Sequence, residues 1–279
     1  MSMSDDDIQD PEASASAWAA LAHLDFPLNV YAIALGLEEG HVDALHYGVF
    51  DEAVAEPISV AQARATDFLL RACPPAPARI LEVGIGLGKT LERLSKDGYH
   101  VEGITPDSHQ VAMAREGMPS VFVEEGKFEQ ASRAPDSYDV ILFQESAQYI
   151  DRELLLHRSF EWLCVGGHLL IMDEVPSAEV PLWTASSRRL GFRERCFVDY
   201  TTAAAPSVDA LVRGIDKHRE EIERRLDVSP VRLFELLTEL KRRRVDYRLG
   251  RHRYVLFHWE KCAPDVCERP VGRREKLRS

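Results

Sequence analysis

Hydrophobic residues change their spacing near residue 78, and this change divides the chain into two parts. Before it, apolar residues recur at helical intervals in three stretches, which read WAALAHL, VYAIALGL and ISVAQARATDFLLRA. A loop-like stretch, HVDALHYGVFDEAVAEP, precedes the third of them, and Pro74, Pro75 and Pro77 end it. We therefore predict a helical cover over residues 17–77.

From Ala78 onward, short apolar runs alternate with helical stretches. Strands are predicted at Ala78–Gly84, His100–Thr105, Ser120–Glu125, Tyr138–Gln144 and His168–Val175, and helices at Thr90–Asp97, Asp107–Glu116 and Asp151–Leu163. Gly166 and Gly167 are expected to stop the last helix. Strands that alternate with helices in this way predict a parallel sheet with right-handed crossovers.

The last third of the chain departs from this alternation. Gly191–Thr201 and Arg253–Lys261 read as two more strands, and about 202–250 between them has helical periodicity. The expected fold class is therefore α/β: a seven-stranded, mostly parallel, doubly wound sheet with a helical insertion before the last strand. An insertion of this length is commonly a lid or a recognition element, and a purely structural helical hairpin is the alternative.

Composition narrows the class of protein. The chain has 279 residues, 45% of them hydrophobic, which suits one large α/β domain or two small ones. The net charge of −12 argues against general nucleic-acid binding, which needs a basic surface. No apolar run reaches the roughly 18 residues of a membrane span. The excess of acidic residues favours neutral or cationic small-molecule acceptors over phosphorylated ones.

The two ends read as tails. Residues 1–16 are acidic and rich in serine and alanine, which predicts disorder, and they lack the pattern of a secretion signal. Residues 262–279 read as a frayed basic tail. A cytoplasmic location is expected.

Cysteine and histidine spacing gives no metal site. The chain has five cysteines, an odd number, and Cys262 and Cys267 lack the second pair that structural zinc requires. His41 and His46, like His252 and His258, are too far apart in sequence for a helical zinc pair. We therefore expect free thiols and no metal.

The segment LEVGIGLGKT carries the most information about ligands. Gly84, Gly86 and Gly88 follow a strand and open a helix, so a ligand can approach the backbone closely and meet free N–H groups. A dinucleotide loop needs G-x-G-x-x-G and a P-loop needs G-x-x-x-x-G-K-[ST], and each pattern misses by one residue. Neither phosphate motif therefore fits.

A third pattern fits without adjustment. Glu82-x-Gly84-x-Gly86-x-Gly88 resembles the first motif of the class I S-adenosylmethionine-dependent methyltransferases. Their cofactor carries an ammonium and a sulfonium but no phosphate, so an acid at the strand end suits it, whereas the same acid would repel a pyrophosphate. The resemblance implies a Rossmann-like fold and S-adenosylmethionine as cofactor.

The resemblance extends over roughly Tyr47 to Lys261, and residues 78–261 are expected to form the methyltransferase domain. VEGITPDSHQVAMARE resembles the pattern of the subgroup that contains cyclopropane fatty acid synthases and tocopherol-type methyltransferases. Most class I members place an acid after the second strand, where this chain has Thr105, in agreement with that subgroup. HYGVF resembles the family's aromatic-Gly element that covers the sulfonium, a role that falls to Tyr47.

The resemblance implies a set of cofactor-binding residues: Tyr47, Glu82, Gly84, Gly86, Gly88, Thr105, Gln110, Phe128, Glu129 and Gln144. Gln110 matches the glutamine near the ribose. The acid that the family usually places near the adenine amine is missing, and Phe128 with Glu129 stands in for it. These assignments are expectations carried over from the family.

The end of the fourth strand, FQESAQYI, is expected to line the methyl-transfer cleft. Cyclopropane synthases have E-x-x-E-H there. Glu145 matches the first acid, but Gln148 and Tyr149 replace the second acid and the histidine. We therefore do not predict lipid cyclopropanation, and we expect Glu145 or Tyr149 to deprotonate or orient a small-molecule acceptor at an N, O or C atom.

Two other interpretations stay open at this point. One is a nucleotide- or NAD-binding enzyme with a degenerate glycine loop, and the other is a non-catalytic cofactor-binding subunit of a larger assembly. A homodimer is compatible with the sequence. The identity of the acceptor does not follow from it.

Overall fold

The structure is a computed structural model, and it describes residues 18–263. The predicted acidic tail, residues 1–16, lies outside the described residues. So does the predicted basic tail from residue 264 onward.

Seven strands form one sheet. They are β1 (Arg79–Val83), β2 (His100–Thr105), β3 (Phe122–Glu125), β4 (Tyr138–Gln144), β5 (Leu163–Pro176), β6 (Phe192–Asp199) and β7 (His252–Lys261). Their order is β3-β2-β1-β4-β5-β7-β6. β7 runs antiparallel to both neighbours, and the pairs from β3 to β5 are parallel. The predicted mostly parallel, seven-stranded α/β sheet is confirmed.

The central strands bury both faces, as their continuous apolar runs predict. In β1, Ile80 packs into the core on one side of the sheet and Leu81 into the core on the other. In β4, Leu142 and Phe143 divide between the same two cores, because successive side chains point to opposite faces. The sheet is therefore covered on both sides along its centre.

Nine helices surround the sheet in the described residues. They are α1 (Leu28–Glu39), α2 (Ile58–Leu70), α3 (Lys89–Lys96), α4 (Ser108–Gly117), α5 (Arg152–Trp162), α6 (Val180–Leu190), α7 (Thr201–Lys217), α8 (Arg219–Leu226) and α9 (Pro230–Arg248). Residues 18–22 form a further helical turn. Across residues 18–263, no helix combines the length and the apolar character needed to cross a membrane.

The cover and the insertion share one core. Apolar side chains of α1, α2, α7 and α9 pack with one another and with one face of the sheet, for example Ile33, Leu69, Leu211 and Leu237. Gly48 ties the two together, because its N–H donates to Ser207 Oγ on α7 at 2.8 Å. Helices α1 and α2 lie within residues 17–77 and helices α7, α8 and α9 within about 202–250, where helical character was predicted. The insertion packs against the cover.

One local prediction is wrong, and one helix was missed. The helix predicted over Asp151–Leu163 ends at Trp162, because Leu163 already pairs with Tyr138 and starts β5, so Gly166 and Gly167 lie within a strand. Helix α6 was not predicted. Pro181 in its first turn and the left-handed Gly191 that ends it, at φ 105°, are the signals that mark it.

The burial of Leu142 in the core gives the first testable prediction. Leu142 is fully buried in β4, in register between Glu82 on β1 and Leu170 on β5. Leu142→Ala is expected to lower the free energy of unfolding by about 2–5 kcal/mol, measured by urea denaturation, because it leaves a cavity. Leu182→Ala, at a side chain 49% exposed on α6, is the control and is expected to change it by less than about 0.5 kcal/mol.

Candidate active site

One cavity of about 980 Å³ lies at the carboxyl ends of β1, β2 and β4, under the cover and α9. The order of the strands reverses between β1 and β4: β2 and β3 lie on one side of this pair, and β5, β7 and β6 lie on the other. Open α/β sheets bind ligands at such a reversal. The residues that line it include eleven that the sequence predicted: Tyr47, Glu82, Gly84, Gly86, Thr105, Gln110, Phe128, Glu129, Gln144, Glu145 and Tyr149. The structure therefore brings these residues to one place.

The glycine loop after β1 uses its glycines for two purposes. At Gly84, with φ 75°, a Cβ would lie 2.5 Å from the Cβ of Ser146, so the loop can approach the end of β4 only without a side chain. At Gly86, with φ 54°, a Cβ would meet no protein atom within 4 Å, and the residue lines the cavity. The backbone there forms an open cradle.

Gly88 is the one predicted site residue that does not line the cavity. It precedes the first turn of α3 with φ 76°, and a Cβ there would lie 3.1 Å from the Met118 side chain. Its place in the fold is therefore at the helix start, and Leu87 and Lys89 line the cavity on either side of it.

Glu82 provides the test of whether the cavity fits a cationic cofactor. Its side chain is 2% exposed, and Oε2 has no hydrogen-bond partner among residues 18–263. Burial raises the pKa of Glu82 to about 8. A buried carboxylate oxygen without a donor costs free energy unless a ligand supplies one. The ammonium and sulfonium of S-adenosylmethionine are charges of the matching sign, so the residues present fit that group.

Thr105 and Gln110 form a buried pair at the end of β2. Thr105 Oγ1 donates to Gln110 Oε1 at 2.7 Å, and both side chains line the cavity. Asp107 between them accepts hydrogen bonds from His109 N and Gln110 N and so caps α4. It also accepts one from Asp25 N at 3.2 Å, which ties the cover to this loop.

Phe128 and Glu129 follow β3. Phe128 is 2% exposed, and its ring packs edge-on against Phe143 and Trp162, with centroids 5.3 Å and 5.0 Å away. Its ring is thus mainly part of the core and only reaches the cavity wall. Glu129 is half-buried at the same wall. Their assignment to the adenine stays a prediction.

Gln144 stands in the middle of a buried chain of hydrogen bonds. Thr90 Oγ1 donates to Gln144 Oε1, and Gln144 Nε2 donates to Thr66 Oγ1, each at 3.1 Å. His46 Nδ1 lies 2.8 Å from Tyr47 O and must donate to that carbonyl, which makes Nε2 the acceptor from Thr66 at 3.3 Å. The chain therefore links α3, β4, α2 and the loop that carries Tyr47.

Glu145 is the half-buried carboxylate beside this chain. It follows β4 with a left-handed φ of 57°. Its Oε1 accepts from Tyr47 N and from Tyr254 Oη, the latter at 2.8 Å, and no hydrogen bond from residues 18–263 reaches Oε2. Burial, and then the charge of Asp173, raise its pKa to about 8. One oxygen is held by the protein and the other is left for a ligand.

Tyr149 lies at the cavity mouth, on a single helical turn, Ala147–Tyr149, and is 75% exposed. Desolvation by the surrounding protein, and then the charges of Asp173 and Glu145, raise the pKa of Tyr149. Its phenolate is therefore disfavoured, and the assignment of Glu145 or Tyr149 as the catalytic residue stays a prediction.

Several site residues were missed by the sequence reasoning. Asp173 and Glu174 are buried near the end of β5, and Glu174 lines the cavity beside Arg243 of α9. Tyr254 of β7 lies opposite Glu174 in the antiparallel register and reaches Glu145. The adjacent acids in HLLIMDEV are the signal that could have marked β5, since acids end an otherwise apolar strand. Nothing in the sequence marks Tyr254.

Two comparisons of sequence bear on this site. A family model described as "Methyltransferase domain" matches residues 80–167. The chain is similar to the ubiquinone biosynthesis O-methyltransferase of Photorhabdus laumondii, with 26% identity over 97 residues. That match covers 33% of this chain and spans 40% of the relative. The resemblance stated from the glycine loop is confirmed.

Solved structures share the fold. The mycolic acid cyclopropane synthase CmaA1, complexed with SAH and CTAB, has a TM-score of 0.72 at 13% identity, covering 91% of this chain and 99% of that one. The cyclopropane synthase MmaA2 of Mycobacterium tuberculosis has 0.68 at 16%, covering 87% and 94%. The [4+2]-cyclase SpnF has 0.68 at 18%, covering 84% and 93%. At these identities the likeness concerns the fold alone.

The raised pKa of Glu82 predicts how the stability of the fold changes with pH. Its pKa is raised to about 8 in the folded protein, so the ligand-free fold binds more protons than the unfolded chain from about pH 4.5 to pH 8, and stability falls as pH rises through that window. Glu82→Gln is expected to lose less stability than the parent protein between about pH 6 and pH 9 in thermal unfolding. The exposed control Glu116→Gln is expected to follow the parent, and equal slopes for all three would contradict the assignment.

Proposed function

We propose that this chain, which carries a class I S-adenosylmethionine-dependent methyltransferase domain, transfers a methyl group to a small-molecule acceptor held under α9. The observation that carries the proposal is the buried, unpartnered Glu82 Oε2 beside the open backbone of Gly86, within the segment that the family model matches. A phosphate chain would meet a carboxylate there, whereas a cationic amino-acid–nucleoside meets a counter-charge.

The cofactor, when bound, supplies a methyl group on sulfur that is already activated for in-line displacement. The protein's task is mainly to bind and orient, since positioning can contribute about 7–11 kcal/mol. The cradle at Gly86 and the Thr105–Gln110 pair form the cofactor side, and Tyr47 stands between them and the acceptor side. The Gln144 hydrogen-bond chain fixes the loop of Tyr47 and so fixes that boundary.

Glu145 is the residue we propose to hold the proton that the acceptor loses. Its Oε1 is anchored by Tyr47 N and Tyr254 Oη, so the carboxylate cannot turn away. Its Oε2 is the oxygen available to an acceptor. A general base of this kind contributes typically 10²–10⁴-fold.

No finding supports a nucleotide- or NAD-binding enzyme with a degenerate loop. That class would place the negative charge of a phosphate chain beside Glu82, which has no positive charge to balance it. The SpnF likeness shows that this fold also occurs in a protein named as a cyclase. Binding and turnover therefore have to be measured directly.

The proposed function is tested by isothermal titration with S-adenosylhomocysteine, ATP and NAD. We expect S-adenosylhomocysteine alone to bind, and we expect Glu82→Gln to weaken it by about tenfold or more, which is about 1.4 kcal/mol. Tight binding of ATP or NAD without S-adenosylhomocysteine would overturn the proposal. Consumption of labelled S-adenosylmethionine with fractions of a small-molecule extract then tests transfer itself.

The role of Glu145 gives a pH prediction. A base must be ionised to act, and the pKa of Glu145 is raised to about 8, so kcat/KM is expected to rise with pH up to about 8. Glu145→Gln is expected to lower kcat/KM by about 10²–10⁴-fold and to lose that rise. Labelled transfer into the most active extract fraction measures it.

The matched control for this experiment is Tyr149→Phe, which changes the other predicted catalytic side chain. It is expected to keep the rise with pH. Loss of the rise in Tyr149→Phe, or its persistence in Glu145→Gln, would assign the base elsewhere.

A further inference from the structure

The part of the cavity beyond Glu145 has a distinct chemical character. We name this part the acceptor chamber, and its role as the acceptor site rests on the proposed function. Its polar and aromatic wall consists of Tyr31, Tyr47, Glu145, Tyr149, Glu174, Glu235, Glu239 and Arg243. Leu236 and Leu240 of α9 supply apolar wall beside them.

Carboxylates outnumber cations in the acceptor chamber. Glu174, Glu235 and Glu239 face the guanidinium of Arg243, and Glu145, whose pKa is raised to about 8, adds a further negative charge when it ionises. Arg243 contacts Glu174 directly and lies 3.9 Å from Glu239, so its charge is already balanced by the protein. Glu235 has no ion pair with residues 18–263, and Glu145 Oε2 has no donor there. The chamber is therefore negative even with Arg243 counted.

Three further cations line the cavity, namely Arg232, Lys89 and Arg93, and each has a contact within the protein. Arg232 lies over the Phe26 ring, 3.9 Å from its centroid. Lys89 pairs with Glu92 at 3.3 Å and Arg93 with Asp67 at 2.5 Å. Lys89 and Arg93 are thus paired with carboxylates, and Arg232 and Arg243 together leave the three carboxylates of Glu174, Glu235 and Glu239 in excess.

Two remaining basic groups do not alter this charge. Lys127 follows β3, which stands three places from β4 in the sheet and so at the cofactor side. His46 is neutral, because burial lowers its pKa to about 4 and its ring is used in the Gln144 chain. Neither places a positive charge in the acceptor chamber.

Aromatic rings complete the wall. Tyr31 of α1, Tyr47 and Tyr149 all line the chamber, and the Tyr47 ring packs against that of Tyr254 with centroids 5.9 Å apart. Burial strongly disfavours ionisation of the Tyr31 and Tyr47 hydroxyls, whose pKa values lie well above the usual range, so these rings stay neutral. Neutral aromatic faces attract cations as well as apolar groups.

We propose that the methyl acceptor is a primary or secondary amine that enters the acceptor chamber as its ammonium ion. The carboxylates and the tyrosine rings select the cation, and the apolar wall holds its carbon skeleton. Phenols, carboxylic acids and phosphate esters lack the charge that the chamber complements.

The reaction then balances without a further reactant. The ammonium gives one proton to Glu145 Oε2 and regains a nitrogen lone pair. That lone pair forms the new N–C bond to the methyl carbon while the C–S bond breaks, and the electron pair of the broken bond stays on sulfur. The products are a methylated ammonium ion and a neutral thioether, and Glu145 releases its proton to solvent.

The test uses the full chain saturated with S-adenosylhomocysteine and three probes of similar size: 2-phenylethylamine, 2-phenylethanol and 3-phenylpropanoate. Isothermal titration at neutral pH is expected to show the amine binding about tenfold or more tighter than the alcohol, and the propanoate weakest. Glu239→Gln is expected to reduce the preference for the amine over the alcohol by about threefold or more, because it removes a chamber charge without touching Glu145.

Glu116→Gln is the matched control, since it makes the same change of net charge on the exposed end of α4, outside the cavity. It is expected to leave the preference unchanged. An equal effect of both variants would mean that net charge and not the chamber selects the probe, and would overturn the inference.

The remaining outcomes separate the two proposals. Failure of S-adenosylhomocysteine to bind would overturn the proposed function. If it binds, but the alcohol or the propanoate binds as tightly as the amine, or no probe binds below about 10 mM, the amine assignment is wrong while the proposed function stands.

Discussion

The buried hydrogen-bond chain through Gln144 is the constraint on which the site depends. It runs from Thr90 to Gln144, Thr66 and His46 and ends on the carbonyl of Tyr47. Each member is a donor to the next, so every polar group in it is satisfied only if all are present. The chain fastens the helical cover to the sheet at the cavity, together with the hydrogen bonds from Tyr47 N to Glu145 and from Asp25 N to Asp107.

This fastening sets the position of the Glu145 carboxylate, which we propose as the base. The carbonyl of Tyr47 is held by His46, and the N–H of the same residue donates to Glu145. Glu145 itself holds a left-handed backbone, which costs roughly 1–2 kcal/mol for a residue with a side chain. Its hydrogen bonds to Tyr47 and Tyr254 offset that cost. In this conformation the side chain reaches Tyr47 N of the cover and Tyr254 Oη of β7.

The sequence was sufficient for the parts of the site that depend on local pattern. The glycine loop, Gln110 and Glu145 each follow a buried strand and Thr105 ends one, and parallel strands bring such positions to one edge of the sheet. The strand that begins at Leu163 was missed for a local reason: its first residues read as the end of a helix, and only pairing with Tyr138 and the Lys261 ammonium on Leu163 O make them strand. Tyr254 and Arg243 could not be found, because they reach the cavity from β7 and α9 by long-range packing.

Glu82 and Glu145 supply the two carboxyl groups that we propose to meet two different cations in one cavity, the first buried and the second half-buried. Glu82 lies at the glycine loop with an oxygen that lacks any donor, and Glu145 lies across β4 with one oxygen anchored and one open. Burial raises the pKa of each to about 8, so in the ligand-free protein each carboxyl tends to keep its proton and avoids an uncompensated buried charge. A cation that arrives beside either group favours its ionised form. Binding of a cation beside either group is therefore coupled to the loss of that group's proton, and a ligand of the matching sign favours the carboxylate that attracts it.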